Sequence, residues 1–200
     1  MRMKHALALV TAAAVMAPAS ASAAIVIVDA KANSSSGGVA KSSGFSFLTG
    51  QGFRVRSSTN DLWSAGALPR FSDGSGLTGN RNATVSDDSG VTPGTQIGAS
   101  FGTHTQNGFT APFGALVGRW ADGTYQLLGA NFTGAATGSG ALDLYYWDSN
   151  SGDNSGQIAF NITAGIPEPA TWAMLILGFG LVGGTMRRAN ARVATRVRFA

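Results

Sequence analysis

Oxygen-bearing side chains are densest in one stretch of the 200-residue chain, Tyr145-Tyr146-Trp147-Asp148-Ser149-Asn150-Ser151-Gly152-Asp153-Asn154-Ser155-Gly156. Two carboxylates and two carboxamides fall within seven residues there, at Asp148, Asn150, Asp153 and Asn154. Hard oxygen donors at this density suit Ca²⁺, which takes about 6–8 oxygen ligands. The same residue types also close a polar hairpin turn, since Asp, Asn and Ser bond their own backbone and Gly takes positive φ. Composition alone leaves both readings open.

Other chemistries are excluded or thinly supported. The loop begins like an EF-hand, but Gly152 occupies a ligand position, Ala159 stands where the bidentate Glu belongs, and no helical period flanks it. Asp87-Asp88 is a second acidic pair. A glycosidase needs two carboxyl groups about 5–10 Å apart, and the middle of the chain offers nine Asp and no Glu for acid–base work. Cysteine is absent and histidine occurs only at His5 and His104, which removes thiol catalysis, thiolate metal sites and multi-His zinc centres. Ser, His104 and an Asp lack a nucleophile-elbow context. No Gly-rich stretch carries the Gly-Lys-Ser/Thr of a phosphate loop. The chain is expected not to be an enzyme.

The charge balance, 14 Lys+Arg against 10 Asp+Glu, is segregated. Arg2 and Lys4 open the chain, and Arg187, Arg188, Arg192, Arg196 and Arg198 close it. What lies between is mildly acidic. There is no basic stripe to neutralise phosphates, so no nucleic-acid partner is expected.

The elements that must position the loop lie between two tripartite ends. A basic start (residues 1–5), an apolar stretch over 6–17 and the small residues Ala19 to Ala24 form a signal-peptide pattern. Cutting before Ala24 follows Ala21-Ser22-Ala23, and Ala19-Ser20-Ala21 is the alternative exit. At the other end Pro167-Glu168-Pro169 breaks regular structure, an apolar run over 172–186 follows, and Arg187-Arg188 stops it. Apolar run and arginines together predict a short transmembrane helix over 172–186, with Trp172 at the interface and the cations on the cytoplasmic side. Pro167-Glu168-Pro169-Ala170-Thr171-Trp172-Ala173, the Gly-rich apolar run and Arg187-Arg188 resemble the PEP-CTERM sorting signal in its PEPxxWA form. That resemblance implies export, retention by the tail and processing by an exosortase-type membrane enzyme, in bacteria that make exopolysaccharide. A simple C-terminal anchor without processing is the alternative. The extension over 189–200 runs further past the arginines than the pattern requires.

Residues 24–164 form the expected ectodomain. Short alternating or apolar runs separated by Gly, Asn and Asp predict strands over 44–49, 53–57, 96–101, 114–120, 125–128, 141–147 and 157–162. Over 141–147, Leu142, Leu144 and Tyr146 face one way and Asp143, Tyr145 and Trp147 the other. Ile158, Phe160 and Ile162 make a second one-sided strand. Residues 31–41 and 73–95 read as loops. Many short strands at this spacing predict an all-β fold, a β-sandwich, flanked by the leader and the C-terminal helix. A secreted low-complexity chain without fixed structure is the competing view.

Gly114-Ala115-Leu116-Val117-Gly118, then Tyr125 to Gly129, then Gly140 to Asp148, then Asp153 to Ile162 is an order similar to the C-terminal half of the PA-I (LecA-like) galactophilic lectins, whose fold is a galactose-binding-like β-sandwich. Asp61-Leu62-Trp63-Ser64 matches the tryptophan-bearing strand end more loosely. The resemblance implies Ca²⁺ in the loop, with Asp148, Asp153 and Asn154 as side-chain ligands and backbone carbonyls near Ser151 and near Gly66 as further ones. Asp148 and Asp153 would meet sugar at the metal, and Trp147 or Tyr145 would stack on a pyranose, against a packing role for these strand aromatics. Two departures stand out. The loop is shorter than the lectin's, and nothing matches its sugar-contacting His and Gln. The expectation is an exported surface or matrix protein that binds extracellular polysaccharide with Ca²⁺, tethered at the inner membrane and then carried to the cell surface or released. The alternative is a purely structural matrix protein without a ligand site.

Overall fold

The structure is a computed structural model and describes residues 22–165 and 169–190. The expected leader therefore lies outside the described residues except for Ser22 and Ala23, as do Pro167 and Glu168 of the sorting motif.

Among the described residues fourteen strands precede one helix. A six-stranded sheet runs β12 (Asn131–Ala135), β3 (Gly52–Arg56), β14 (Ser155–Ala164), β4 (Trp63–Ser64), β5 (Phe71–Ser72), and β1 (Ser22–Asp29) pairs with β14 from the other side. A four-stranded sheet runs β11 (Tyr125–Leu127), β10 (Ala115–Trp120), β13 (Gly140–Trp147), β2 (Lys41–Phe47). Two short hairpins, β6–β7 (Arg81–Asn82 with Gln96–Gly98) and β8–β9 (Thr103–Gln106 with Phe109–Pro112), complete the described strands. All of these pairings are antiparallel.

Both large sheets bury side chains in one core. Val26 and Val28 of β1, Phe53 and Val55 of β3, and Ile158, Phe160 and Ile162 of β14 come from one sheet. Leu116 and Trp120 of β10, Leu142, Leu144 and Tyr146 of β13, and Phe47 of β2 come from the other. The aromatic edges interlock. Trp120 stands edge-on to Phe47 at 5.2 Å and to Phe53 at 5.6 Å, and Trp63 stands edge-on to Tyr146 at 4.7 Å. Gly118 on β10 lets the sheet close, since a Cβ there would lie 2.8 Å from Leu142 and 2.9 Å from Leu128.

The expected strands appear with small changes of boundary, and the alternation over 141–147 is as read from the sequence. Leu142, Leu144 and Tyr146 enter the main core. Trp147 packs on the opposite face with Ala111 and Val117, under Phe109 and Tyr125. The ordered sheets displace the low-complexity alternative. The strands β1, β5, β6, β12 and the β8–β9 hairpin were not expected, and β6 corrects the reading of 73–95 as a loop. The β1 sequence merges with the small-residue exit of the leader, so its Ile-Val alternation is masked. The strand begins at Ser22, inside the expected leader. Cutting before Ala24 would remove its first two pairs, with Ala164 and Thr163, whereas the exit after Ala21 leaves it whole.

The tail requires a correction. A helix, α1 (Pro169–Asn190), does form over the predicted span. Among the described residues, however, no helix is long and apolar enough to cross a membrane. The apolar run over 172–186 rises only about 22 Å at ~1.5 Å per residue, against a hydrocarbon core about 30 Å thick. Gly178, Gly180, Gly183, Gly184 and Thr185 dilute its hydropathy, and Arg187 follows at once. The expected transmembrane helix is thus not found among the described residues.

Replacing Trp120, which is fully buried, with Ala should cost about 3–5 kcal/mol of unfolding free energy in urea titration. Val85→Ala, at a side chain 92% exposed, should stay within about 0.5 kcal/mol of the parent.

Candidate cation and ligand site

The loop over 148–154 carries the chain from the end of β13 in the four-stranded sheet to the start of β14 in the six-stranded one. It is cradled by the segment that follows β1. Ser35 Oγ donates to the Asp148 carbonyl at 2.9 Å and accepts from the Asp148 N–H at 3.1 Å. Ser35 N–H donates to the Tyr146 carbonyl, and Lys31 Nζ donates to the Gly152 carbonyl at 3.3 Å. Gly37 lies so close to Ser151 that a Cβ there would meet its Oγ at 2.9 Å.

The predicted ligands are partly assembled. Asp148 is buried, with 5% of its surface exposed. Its carboxylate accepts from the Ser149 N–H at 2.8 Å. Burial pushes its pKa up, the Ser149 N–H and the Asn154 amide oppose that, and the Asp153 charge adds to it. Asn154 is equally buried. Its Nδ2 donates to the Ala30 carbonyl at 3.1 Å, while its Oδ1 has no hydrogen-bond partner. The Tyr146 hydroxyl is also buried and unpartnered. Burial raises its pKa far above the usual phenol range, and the charges of Asp148 and Asp153 add to this. Unpaired buried oxygens cost about 1–3 kcal/mol each when left unsatisfied. Asn154 and Tyr146 thus lie close to Asp148, with the Asn154 Oδ1 and the Tyr146 hydroxyl left without partners.

Asp153 sits at the rim instead. It accepts from Asn150 Nδ2 at 2.9 Å and pairs with Arg70 at 3.8 Å, with both side chains well exposed. Gly66 packs against it, since a Cβ on Gly66 would lie 2.6 Å from Asp153 Oδ2. The Gly66 carbonyl itself accepts from Ser64 Oγ at 2.7 Å. Ser151 is half-buried. Among the described residues no group of three or more His, Cys, Asp and Glu side chains gathers to hold a metal. Any cation site here rests on two carboxylates plus amide and backbone oxygens.

Trp147 requires a second correction. It is fully buried. Its Nε1 donates to the His104 carbonyl at 2.8 Å, and the rings of Phe109, Tyr125 and His104 close over it at 5.5, 5.7 and 5.8 Å. Trp147 therefore has no free face for a sugar, because the unforeseen β8–β9 hairpin covers it. Tyr145, on the same side of β13, remains half-buried beside a small cleft of about 80 Å³ lined by Ser35, Gln106, Asn107, Tyr125, Tyr145 and Trp147.

Sequence reasoning missed Arg70, Ser35, Tyr146 and His104. Arg70 and Ser35 reach the loop from distant segments and carry no local signal. Tyr146 could have been found by following the β13 alternation, which turns its hydroxyl inward beneath the loop. His104 lies on β8, where its charge opposes the rise of the Asp148 pKa and its Nε2 is buried without a partner.

At the chain's other end, Pro169 is the first residue of α1 and Arg187 is exposed. The side chains of Trp172, Ala173 and Arg188 lie outside the described residues.

The raised Asp148 pKa sets a pH signature. The folded state holds this proton more tightly than the unfolded chain, whose carboxyl titrates near ~3.9. Its contribution to stability is full below that value and is lost as pH rises through the higher folded value. In chelator, Asp148→Asn should flatten this part of the stability–pH curve measured by thermal melts. Asp88, also raised chiefly by burial, should keep its own share of the slope.

No curated protein matches the chain. Residues 165–189 match the family model of the PEP-CTERM protein-sorting motif, and this supports an exported protein that is sorted, with membrane anchoring, by an exosortase-type enzyme.

Proposed function

We propose that this exported protein is a non-enzymatic binder of extracellular carbohydrate, with Ca²⁺ held at the turn between β13 and β14, and that exosortase-type processing delivers it to the cell surface or the surrounding polysaccharide. On this reading the two sheets form a β-sandwich of the galactose-binding-like class. The observation that carries it is the buried Asn154 Oδ1, which has no donor, beside the buried carboxylate of Asp148. A cation suits these buried oxygens, because it satisfies several lone pairs at once and favours the ionised carboxylate. Asp148, Asp153 and Asn154 would hold it, with backbone oxygen near Ser151 as a further donor. A bound Ca²⁺ would supply a Lewis-acidic centre to which vicinal sugar hydroxyls can bind. Tyr145, rather than Trp147, is the half-exposed ring available to a pyranose.

The rim favours a second reading. Arg70 and Lys31 already bring positive charge to Asp153 and to the Gly152 carbonyl. These contacts suit a turn fastened without any ion, in a purely structural matrix protein.

Calorimetric Ca²⁺ titration separates the two. The first reading expects stoichiometric binding, lost in the Asp148→Ala/Asp153→Ala variant, and a stabilisation of about 2.7 kcal/mol at a free Ca²⁺ one hundred times Kd. Retention on immobilised galactose-containing polysaccharide should then require Ca²⁺ and be abolished by chelator. A folded protein that takes up no Ca²⁺ leaves the structural reading.

A further inference from the structure

We propose that the free edge of β1 is a self-association surface, on which a second copy of this chain pairs its own β1 antiparallel and joins the two six-stranded sheets into one. The parity of the strand gives the first argument. Ala30 N–H donates to the Gly156 carbonyl at 3.0 Å, continuing the register from Ser22↔Ala164 to Asp29↔Gln157. In an antiparallel ladder the residues that bond the neighbour alternate with those that turn away. Ala24, Val26, Val28 and Ala30 thus bond β14, and the N–H and C=O groups of Ala23, Ile25, Ile27 and Asp29 point outward. Asp29 confirms this, because its outward N–H donates to Asn33 Oδ1 at 2.8 Å and its carbonyl accepts from Asn33 N–H at 2.9 Å. Among the described residues nothing takes the outward groups of Ala23, Ile25 and Ile27.

The second argument is the lack of edge protection. Natural edge strands are kept short, bulged, or marked with Lys or Pro. The other edges follow that rule. β5 has two residues and β11 three, β12 has five with Gly134 inside it, and β2 starts at Lys41 and has a register shift against β13. β1 is eight residues long with an unbroken register, and its charge is confined to Asp29 at the end. Ile25 and Ile27 leave 71% and 48% of their surface exposed.

The third argument selects the occupant. A two-fold axis through Ile25 pairs Ile25 with itself and Ala23 with Ile27 of the second copy. These are the three residues whose outward groups are free. Inward residues meet inward ones, Ala24 against Val26, so the buried face continues across the junction. On the outward face Ile25 meets Ile25 and Ile27 meets Ala23, and no carboxylate faces another. The edge is self-complementary in hydrogen bonding, in side-chain face and in charge. This proposal is independent of the cation loop.

Absence of native cysteine makes the test direct. Bonded antiparallel partners have Cα atoms about 5.5 Å apart, within the ~4.4–6.8 Å that a disulfide spans. Full-length Ile25→Cys, under mild oxidation, should form a disulfide-linked dimer severalfold more than Val85→Cys, an exposed site elsewhere, and chelator should not change the yield. Should Ile25→Cys cross-link only when mixed with Ile27→Cys, the two-fold passes through Val26 and the edge pairing stands. Ile25→Lys/Ile27→Lys, whose side chains are already exposed, should keep its near-UV tryptophan circular dichroism while severalfold less of one tagged copy co-purifies with another. Cross-linking no greater than for Val85→Cys, both alone and in the mixture, overturns the proposal.

Discussion

The alternating burial of β13 governs where the polar loop can sit. Leu142, Leu144 and Tyr146 must enter the core shared by the two sheets, and Trp147 must then face the β8–β9 hairpin. Because side chains alternate with a period of two, a slip of one residue would put Trp147 into the main core and expose Leu144. The strand therefore has one register, and that register delivers Asp148 to the edge of the core with its carboxylate buried and Tyr146 beneath it. β14 then leaves the loop at Ser155 and drives Ile158, Phe160 and Ile162 into the opposite sheet's side of the same core. The geometry of the candidate site follows from hydrophobic packing several residues away.

Much of this was legible in the residues. The strands β10, β13 and β14 were clear because each is a short apolar or alternating run bounded by Gly, Asn or Asp, whereas β12, also after Gly114, was not. The loop was clear because few segments concentrate Asp and Asn so strongly. What escaped was non-local. β1 blends Ala, Ile and Val with the end of a leader, so one apolar run serves two purposes and its period is hidden. The β8–β9 hairpin is polar along much of its length, and its turn signal, Asn107-Gly108, is short; Asn107 takes the positive φ of 53° that such a turn requires. Missing that hairpin is what made Trp147 look available to a ligand. Arg70 meets Asp153 only because β4 and β5 bring their connecting segment to the rim, and no spacing in the sequence announces it.

The two ends obey a different physics from the middle. Five of the basic residues crowd the last stretch of the chain, beyond the sheets. The apolar segment before them is rich in glycine and too short for an ordinary span, so its meaning lies in its pattern as a sorting signal more than in its hydropathy. The sorting match and the fold speak to separate questions, namely where the chain goes and what it presents there.

The ladder between β1 and β14 joins the first described strand to the last, over the full register from Ser22↔Ala164 to Asp29↔Gln157. Contacts so distant along the chain form late, because the entropy of closing the intervening loop is spent before any of them is made. The six-stranded sheet also lacks its central strand until β14 is present, since β1, β3 and β4 all pair with it. A nascent chain that has not yet released residue 164 cannot complete this sheet. Closure of this sheet is therefore set by the arrival of its last strand, whose one edge pairs with β1 and whose other edge pairs with β3 and β4.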